Sequence, residues 1–233
     1  MAFTLIIGNK NYSSWSMRPW VLMKEAGIAF TEQRVRLDNN DAGFQFKQTV
    51  LPVNPAGKVP VLIDSLLDAN TAIWDSLAIC EYLSEAYHEL QLWPSDKATR
   101  ARARSLCAEM HSGLSHLRSH FPMNIEAHLP ELGARVLLEQ AGLRTDLARV
   151  VNMWQIELAQ NRGPMLFGKF SIVDAFFAPV CMRIRSYALP VPDDVQAYVD
   201  RLVALPSVKQ WMREALLEKD FIPSQEPYRS APQ

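Results

Sequence analysis

Three serines, Ser13, Ser14 and Ser16, lie close together where a predicted strand is followed by a predicted helix. The apolar run 3–7 is typical of a short buried strand, and the apolar spacing over 20–26 is typical of a helix that ends at a glycine. Free N–H groups and the helix dipole favour an anion at the start of a helix. The hydroxyls could therefore stabilise a negatively charged group, unless one of them only caps the helix.

The composition indicates a soluble protein that acts on a small molecule. The chain has 233 residues, 48% of them hydrophobic, and its 24 basic residues nearly balance 25 acidic ones. A net charge of −1 gives no overall attraction to nucleic acid or to an anionic membrane. Neither a signal peptide nor an apolar run of about eighteen residues is evident, so we expect a cytoplasmic protein without membrane contact.

The spacing of cysteine and histidine does not favour a metal or a disulfide. Three cysteines far apart in helix-like apolar contexts predict reduced, buried thiols: Cys80, Cys107 and Cys181. His116 and His120 have the spacing of a helical metal pair, but the glutamate of a zincin motif is missing and Arg118 lies between them. We expect no metal site.

The first part of the chain, 1–87, predicts an α/β unit with the element order βαβαββα. Strands are expected at 3–7, 29–37, 59–63 and 66–73, and helices at 20–26, 44–50 and 76–87. Asp75 is a candidate N-cap for the last helix, and the polar segment 38–41 is a candidate turn. Pro19 suits the first helix only if it lies in the first turn.

The second part of the chain shows helical periodicity and no strand signals. A linker at 88–94 leads into a predicted all-helical bundle at 95–220. Helices are expected at 97–121, 132–161, 172–189, 195–205 and 208–219. Ser171 and Asp174 match a capping box at the start of the third. The end of the chain, 221–233, is expected to be a surface tail or disordered.

Four segments together resemble the cytosolic glutathione transferases over essentially the full chain. The segment Ser-Ser-Trp-Ser-Met-Arg at 13–18 is similar to the zeta and theta classes, especially to the zeta pattern Ser-Ser-Cys-Ser-x-Arg. Residues 54–62 resemble the family segment that ends in Val-Pro-x-Leu, 74–83 its Ser-x-Ala-Ile-x-x-Tyr-Leu helix, and 170–175 its capping box. The resemblance implies a thioredoxin-like N-terminal domain followed by an all-α C-terminal domain.

The resemblance implies a site for glutathione. It implies a cis peptide bond between Val59 and Pro60, which would turn the Val59 N–H and C=O toward a groove where a tripeptide can pair with them. Lys58 would meet the glycyl carboxylate, or is a solvated loop lysine. Ser76 would bind the γ-glutamyl carboxylate, while Asp75 caps its helix or approaches the α-ammonium group.

The resemblance also implies that a serine stabilises the glutathione thiolate. A thiol with a pKa of about 8.5 is only about 3% ionised at pH 7. One hydroxyl hydrogen bond and a helix N-terminus, about 1–1.5 kcal/mol each, would lower that pKa by about two units. The zeta pattern points to Ser13, whereas counting back from Arg18 points to Ser14. Ser16 is expected beside the glutathione site as a cap or further donor, and Trp15 stands there in place of the zeta cysteine.

By the same resemblance, the first helix of the second domain would line the pocket for an electrophile. The candidates are Met110, His111, Leu114, Phe121 and Met123. An apolar stripe at helical spacing can equally belong to the core. Arg183 and Tyr187 are spaced to reach the same cleft, or to pair with acidic residues elsewhere.

The sequence therefore predicts a glutathione transferase that conjugates glutathione to a small hydrophobic electrophile. Glutathione is the expected co-substrate, no metal is expected, and the family implies a homodimer. One alternative is a zeta-like glutathione-dependent isomerase, which Trp15 makes less favourable. Another is a non-catalytic interaction protein on the same fold, against which the serine-bearing corner argues.

Overall fold

The computed structural model describes residues 3–37, 43–67 and 71–231. Within these ranges, the predicted βαβαββα order of the N-terminal domain is confirmed. Its strands are β1 (Phe3–Ile7), β2 (Phe30–Arg34), β3 (Val61–Asp64) and β4 (Ala72–Ile73). Its helices are α1 (Ser14–Glu25), α2 (Gly43–Val50) and α3 (Ser76–Ala86).

The strands form one mixed sheet with the order β2-β1-β3-β4. β1 pairs in parallel with β2, as the crossover through α1 requires, and antiparallel with β3, which in turn pairs antiparallel with β4. β1 is buried almost throughout, in keeping with its apolar sequence and its inner position in the sheet. The end of β1 therefore delivers the chain directly to the three serines.

The hairpin after β3 differs from the prediction. A strand starting at Leu66 is wrong, because the Asp64 carboxylate accepts the Leu66 N–H at 2.9 Å and the Asp64 C=O accepts the Leu67 N–H at 3.1 Å. These bonds form a turn, and within the described residues strand pairing begins again at β4. The turn predicted at 38–41 lies outside the described residues.

α1 begins six residues earlier than predicted, so Pro19 lies inside the helix. The Ser13 C=O already accepts the Met17 N–H at 3.1 Å, which starts the helix well before Pro19. Pro19 has no N–H to donate to the Trp15 C=O, so the helix lacks that one bond. The earlier start places the serines in the first turn of α1.

The C-terminal domain is all-helical, as predicted. Its helices are α4 (Lys97–Ser112), α5 (Ser115–His120), α6 (Pro130–Glu139), α7 (Ala141–Gln160), α8 (Ile172–Ser186), α9 (Asp193–Val203) and α10 (Pro206–Leu217). Two predicted long helices are each broken in two. One break is at Gly113, where a Cβ would lie 2.8 Å from the Glu109 oxygen, followed by left-handed Leu114 with φ 52°. The other is at extended Gln140.

The two domains share one hydrophobic core, in which α1 packs against α8 and α10. The rings of Trp20 and Trp211 meet edge to face with centroids 5.2 Å apart. The buried Lys10 amino group lies 4.7 Å above the Trp20 ring and pairs with Glu32 and Glu214. These contacts join α1 and the segment before it to α10 of the helical domain.

The described part of the C-terminal segment, 221–231, packs more closely than a surface tail. Glu226 is buried and accepts hydrogen bonds from the Tyr12 hydroxyl and the Asn124 amide, each at 2.8 Å. Arg229 pairs with Glu226 as well. Across the described ranges, none of the helices combines the length and apolarity needed to cross a membrane.

Candidate active site

A cavity of about 730 Å³ lies between the two domains, next to the start of α1. Its size suits a small organic ligand. Its walls bring together most of the predicted site residues: Ser13, Ser14, Trp15, Lys58, Val59, Pro60, Asp75, Ser76, His111 and Met123. Residues far apart in sequence thus face one space.

The hydroxyls of Ser13, on the cavity wall, and Ser16, behind it, form a hydrogen-bonded pair. Ser13 is the N-cap residue of α1, but its side chain makes no capping bond. Its Oγ lies 2.7 Å from the Ser16 Oγ, which also accepts the Gly8 N–H at 3.2 Å. Ser16 is fully buried and is not on the cavity wall, so the structure places it as a support for Ser13.

Ser14 differs from its neighbours because its hydroxyl has no hydrogen-bond partner among the described residues. It is the first residue of α1 and lines the cavity. The N–H groups of Trp15 and Ser16, in the same helical turn, also have no partner within the described ranges. The first turn of α1 therefore offers one free hydroxyl and two free N–H groups at a positive helix end.

The proline loop presents backbone groups to the cavity. The peptide bond between Val59 and Pro60 is cis, as the resemblance implies. The Asn54 amide donates to the Lys58 C=O at 2.7 Å and holds the loop, while the Val59 N–H and C=O have no partner in the described part of the chain. An extended peptide could pair with them. Lys58 is exposed at the rim.

Asp75 has two contacts at the start of α3. One carboxylate oxygen accepts the Leu77 N–H at 2.7 Å, which is the predicted cap, and the other lies 3.1 Å from the His111 Nε2. Burial lowers the pKa of His111, and Arg18 adds to this effect against the opposing influence of Asp75. His111 is therefore neutral at pH 7, with Nε2 assigned as the donor to Asp75.

Arg18 lies behind the wall and has no ion pair among the described residues. Its Nη1 donates to the Ser76 hydroxyl at 3.3 Å, and its guanidinium lies 4.2 Å from the centre of the Trp15 ring. The Nε atom is buried without a hydrogen-bond partner. Burial, and then repulsion from Arg183, lower the pKa of Arg18 to about 9, so the group remains positively charged at neutral pH.

Three predicted pocket residues belong to the core instead of the cavity wall: Met110, Leu114 and Phe121. α4 and α5 turn these side chains inward, and the Phe121 ring stacks on Tyr187 with centroids 4.4 Å apart. The Tyr187 hydroxyl donates to the Pro122 C=O at 2.9 Å, so this tyrosine is also used in packing. Spacing along a helix could not distinguish the two faces.

Other cavity residues carried no functional prediction: Tyr12, Asn54, Arg118 and Gln225. Tyr12 directly precedes the serines, yet its hydroxyl is bound to Glu226, and burial raises its pKa to about 12. Gln225 comes from the C-terminal segment, where the sequence has no recognisable signal. Among the described residues, no group of three or more His, Cys, Asp or Glu is placed to hold a metal ion.

Comparison with known sequences gives matches over both domains. The model "Glutathione S-transferase, N-terminal domain" matches residues 12–86, and "Glutathione S-transferase, C-terminal domain" matches 99–214. Glutathione S-transferase omega-1 of Rattus norvegicus is 25% identical over 214 residues, covering 91% of this chain and 76% of the relative. A probable maleylacetoacetate isomerase of Caenorhabditis elegans is 32% identical over 106 residues, but the match spans only 46% of this chain and 45% of that protein.

Solved structures share the whole architecture. A glutathione transferase homolog from Burkholderia, with bound glutathione, has a TM-score of 0.66 at 24% identity over 93% of this chain and 98% of the other. Ure2p in complex with glutathione has a TM-score of 0.68 at 19% identity, covering 91% and 94% of the two chains. At these identities the likeness concerns the fold.

Proposed function

Because the chain belongs to the glutathione S-transferase family, we propose that it is a transferase that ionises glutathione in this cavity and conjugates it to a small electrophile. One observation carries the proposal: Ser14 and Trp15, at the start of α1, line the same cavity as Val59, whose backbone N–H and C=O have no partner among the described residues. A thiolate and a peptide backbone need these two kinds of partner.

Glutathione is proposed to lie along the thioredoxin-like domain. Its cysteinyl backbone pairs with the free N–H and C=O of Val59, as an added strand would. Its γ-glutamyl carboxylate meets the start of α3 at Ser76, and its glycyl carboxylate meets Lys58. Asp75 already caps α3 and contacts His111. Its carboxylate is therefore proposed to bind the α-ammonium group only through the part that these two contacts leave exposed.

The sulfur is proposed to lie at the first turn of α1, with Ser14 as the direct hydrogen-bond donor. Ser14 can donate without breaking a bond, whereas Ser13 is already paired with Ser16. Ser13 then acts as a positioning residue that, through its bond to Ser16, holds the turn between β1 and α1 in place. The thiol releases its proton to solvent, and the resulting thiolate attacks the electrophilic carbon.

Two measurements test this function. The protein should be retained on immobilised glutathione, and it should form a thioether from glutathione and a chlorodinitrobenzene with release of chloride. Ser105→Ala, an exposed change on α4, is the matched control for variants of Ser13 and Ser14 and should leave both results unchanged. Failure of both measurements would contradict the proposal and favour a non-catalytic role.

A glutathione-dependent isomerase is the second candidate, because a probable maleylacetoacetate isomerase is among the relatives. The two reactions differ in the fate of glutathione, which a transferase consumes and an isomerase returns. Glutathione that remains unconsumed while a cis double bond becomes trans would therefore favour the isomerase.

We also propose a homodimer in solution, as in the family, which light scattering can test.

A further inference from the structure

The wall that the helical domain contributes to the cavity carries unneutralised positive charge. The charged side chains on the described cavity wall are Lys58, Arg118 and Arg183, with Asp75 as the acidic one. Arg18 adds a further guanidinium directly behind Trp15. Like charges gathered around a low-dielectric cleft attract a ligand of the opposite sign.

The guanidinium group of Arg183 is held by two hydrogen bonds, and its third nitrogen makes none among the described residues. It is buried in α8, where Nε donates to the Phe121 C=O at 2.7 Å and Nη1 donates to the Pro179 C=O at 3.0 Å. Its Nη2 has no partner, and the group has no ion pair, among the residues that the structure describes. Burial lowers the pKa of Arg183 to about 10, so it is charged at neutral pH.

Arg118, on α5, lines the same cavity as Arg183. Its Nη1 donates to the His111 C=O at 3.0 Å, and its guanidinium lies 5.6 Å from the centre of the Trp15 ring. Within the described ranges it has no carboxylate partner. Both arginines line the cavity, and the positive charge of Arg118 contributes, after burial, to the lowered pKa of Arg183.

Packing alone does not account for this arrangement. A buried cation without a counter-ion costs free energy, and two backbone carbonyls satisfy only part of a guanidinium group. The proposed position of glutathione assigns its carboxylates to Lys58 and Ser76, on the opposite domain. The guanidinium groups of Arg118 and Arg183 are therefore left for the other substrate.

We infer that the electrophile carries a carboxylate group, which Arg118 and Arg183 bind while the glutathione thiolate attacks a carbon elsewhere in the same molecule. The inference rests on the proposed function and replaces the expected purely hydrophobic electrophile with an acidic one. With an aryl chloride acid, the sulfur–carbon bond forms and the carbon–chlorine bond breaks. Chloride leaves with the bonding electron pair, and the carboxylate is unchanged.

A matched pair of substrates tests the inference: a chlorodinitrobenzoate and its methyl ester. Both react by the same displacement, and each enzymatic kcat/KM is divided by the uncatalysed rate constant with glutathione. We expect the acid to be preferred about tenfold to a hundredfold, the range of one charge-assisted hydrogen bond. Added salt should raise KM for the acid more than for the ester.

Variants locate the preference. Arg118→Met should reduce it about tenfold through KM for the acid, and Arg118→Lys should retain part of it. Arg185→Met is the control, because it also removes one arginine. Arg185 lies on α8, as Arg183 does, but it is exposed and contacts Met212. Since Arg183 also supports two carbonyls, Arg183→Lys is assayed only after its thermal unfolding matches that of the wild type.

Equal normalised rates for acid and ester would overturn the inference while leaving the proposed function intact. An equal loss of glutathione affinity and acid turnover in Arg118→Met would also overturn it, because the arginine would then serve glutathione. Absence of both glutathione binding and turnover would overturn the proposed function, and the inference with it.

Discussion

Removal of the Ser14 hydroxyl is the most direct perturbation of the proposed mechanism. Ser14→Ala deletes one oxygen from the cavity wall and breaks no hydrogen bond among the described residues. The first turn of α1 and its free N–H groups remain. We therefore expect normal folding and glutathione binding, but a less acidic bound thiol.

The magnitude follows from the loss of one hydrogen bond to an anion. About 1–1.5 kcal/mol corresponds to about one pKa unit. If the bound thiol of the wild type has a pKa of about 6.5, two units below a free thiol, about three quarters of it is ionised at pH 7. In Ser14→Ala the pKa rises to about 7.5, and the ionised fraction falls to about one quarter.

The ultraviolet absorbance of the thiolate, titrated with saturating glutathione, measures this pKa directly. Ser13→Ala should give a smaller rise, because the Gly8 N–H can still orient Ser16, and Ser105→Ala should give none. A larger rise in Ser13→Ala than in Ser14→Ala would refute the assignment of Ser14. If neither variant raises the pKa, the serine mechanism itself is wrong.

Three further outcomes follow from other contacts. Asp174→Ala should lower the free energy of unfolding by about 3 kcal/mol in urea titrations, because it leaves the buried Tyr198 hydroxyl and backbone N–H groups unpaired. Burial lowers the pKa of His111, so the unfolded chain takes up this proton more readily below about pH 6.5. The wild type should therefore lose more stability on acidification than His111→Gln, and an equal loss would contradict this. Tyr12→Phe removes a hydrogen bond to buried Glu226, so it should speed tryptic cleavage of the C-terminal segment. Because Gln225 of this segment lines the cavity, the change should also raise KM for the electrophile. Unchanged cleavage would mean that other contacts hold this segment.

Local sequence patterns were sufficient to predict those elements whose structure depends on adjacent residues. The strand 3–7 and the capping box of Ser171 and Asp174 both depend on a few neighbouring residues. The cis bond before Pro60, in contrast, was implied only by the resemblance of residues 54–62 to the family segment. Helix ends were less predictable. The helix ends at Gly113 in a conformation that leaves no room for a Cβ beside the preceding turn, a constraint that periodicity does not carry.

The sequence by itself determined the order of strands and helices in the N-terminal domain, the all-helical character of the second domain and the position of the three serines between β1 and α1, because strand and helix patterns are set by short-range spacing. Only the tertiary structure decided which side chains face the cavity. Met110 and Arg183 both lie on helices of the second domain, yet the packing of these helices puts Met110 in the core and Arg183 on the wall. The charge of the second-substrate site is likewise a property of the packed domains, because it depends on which arginines the fold leaves without a carboxylate.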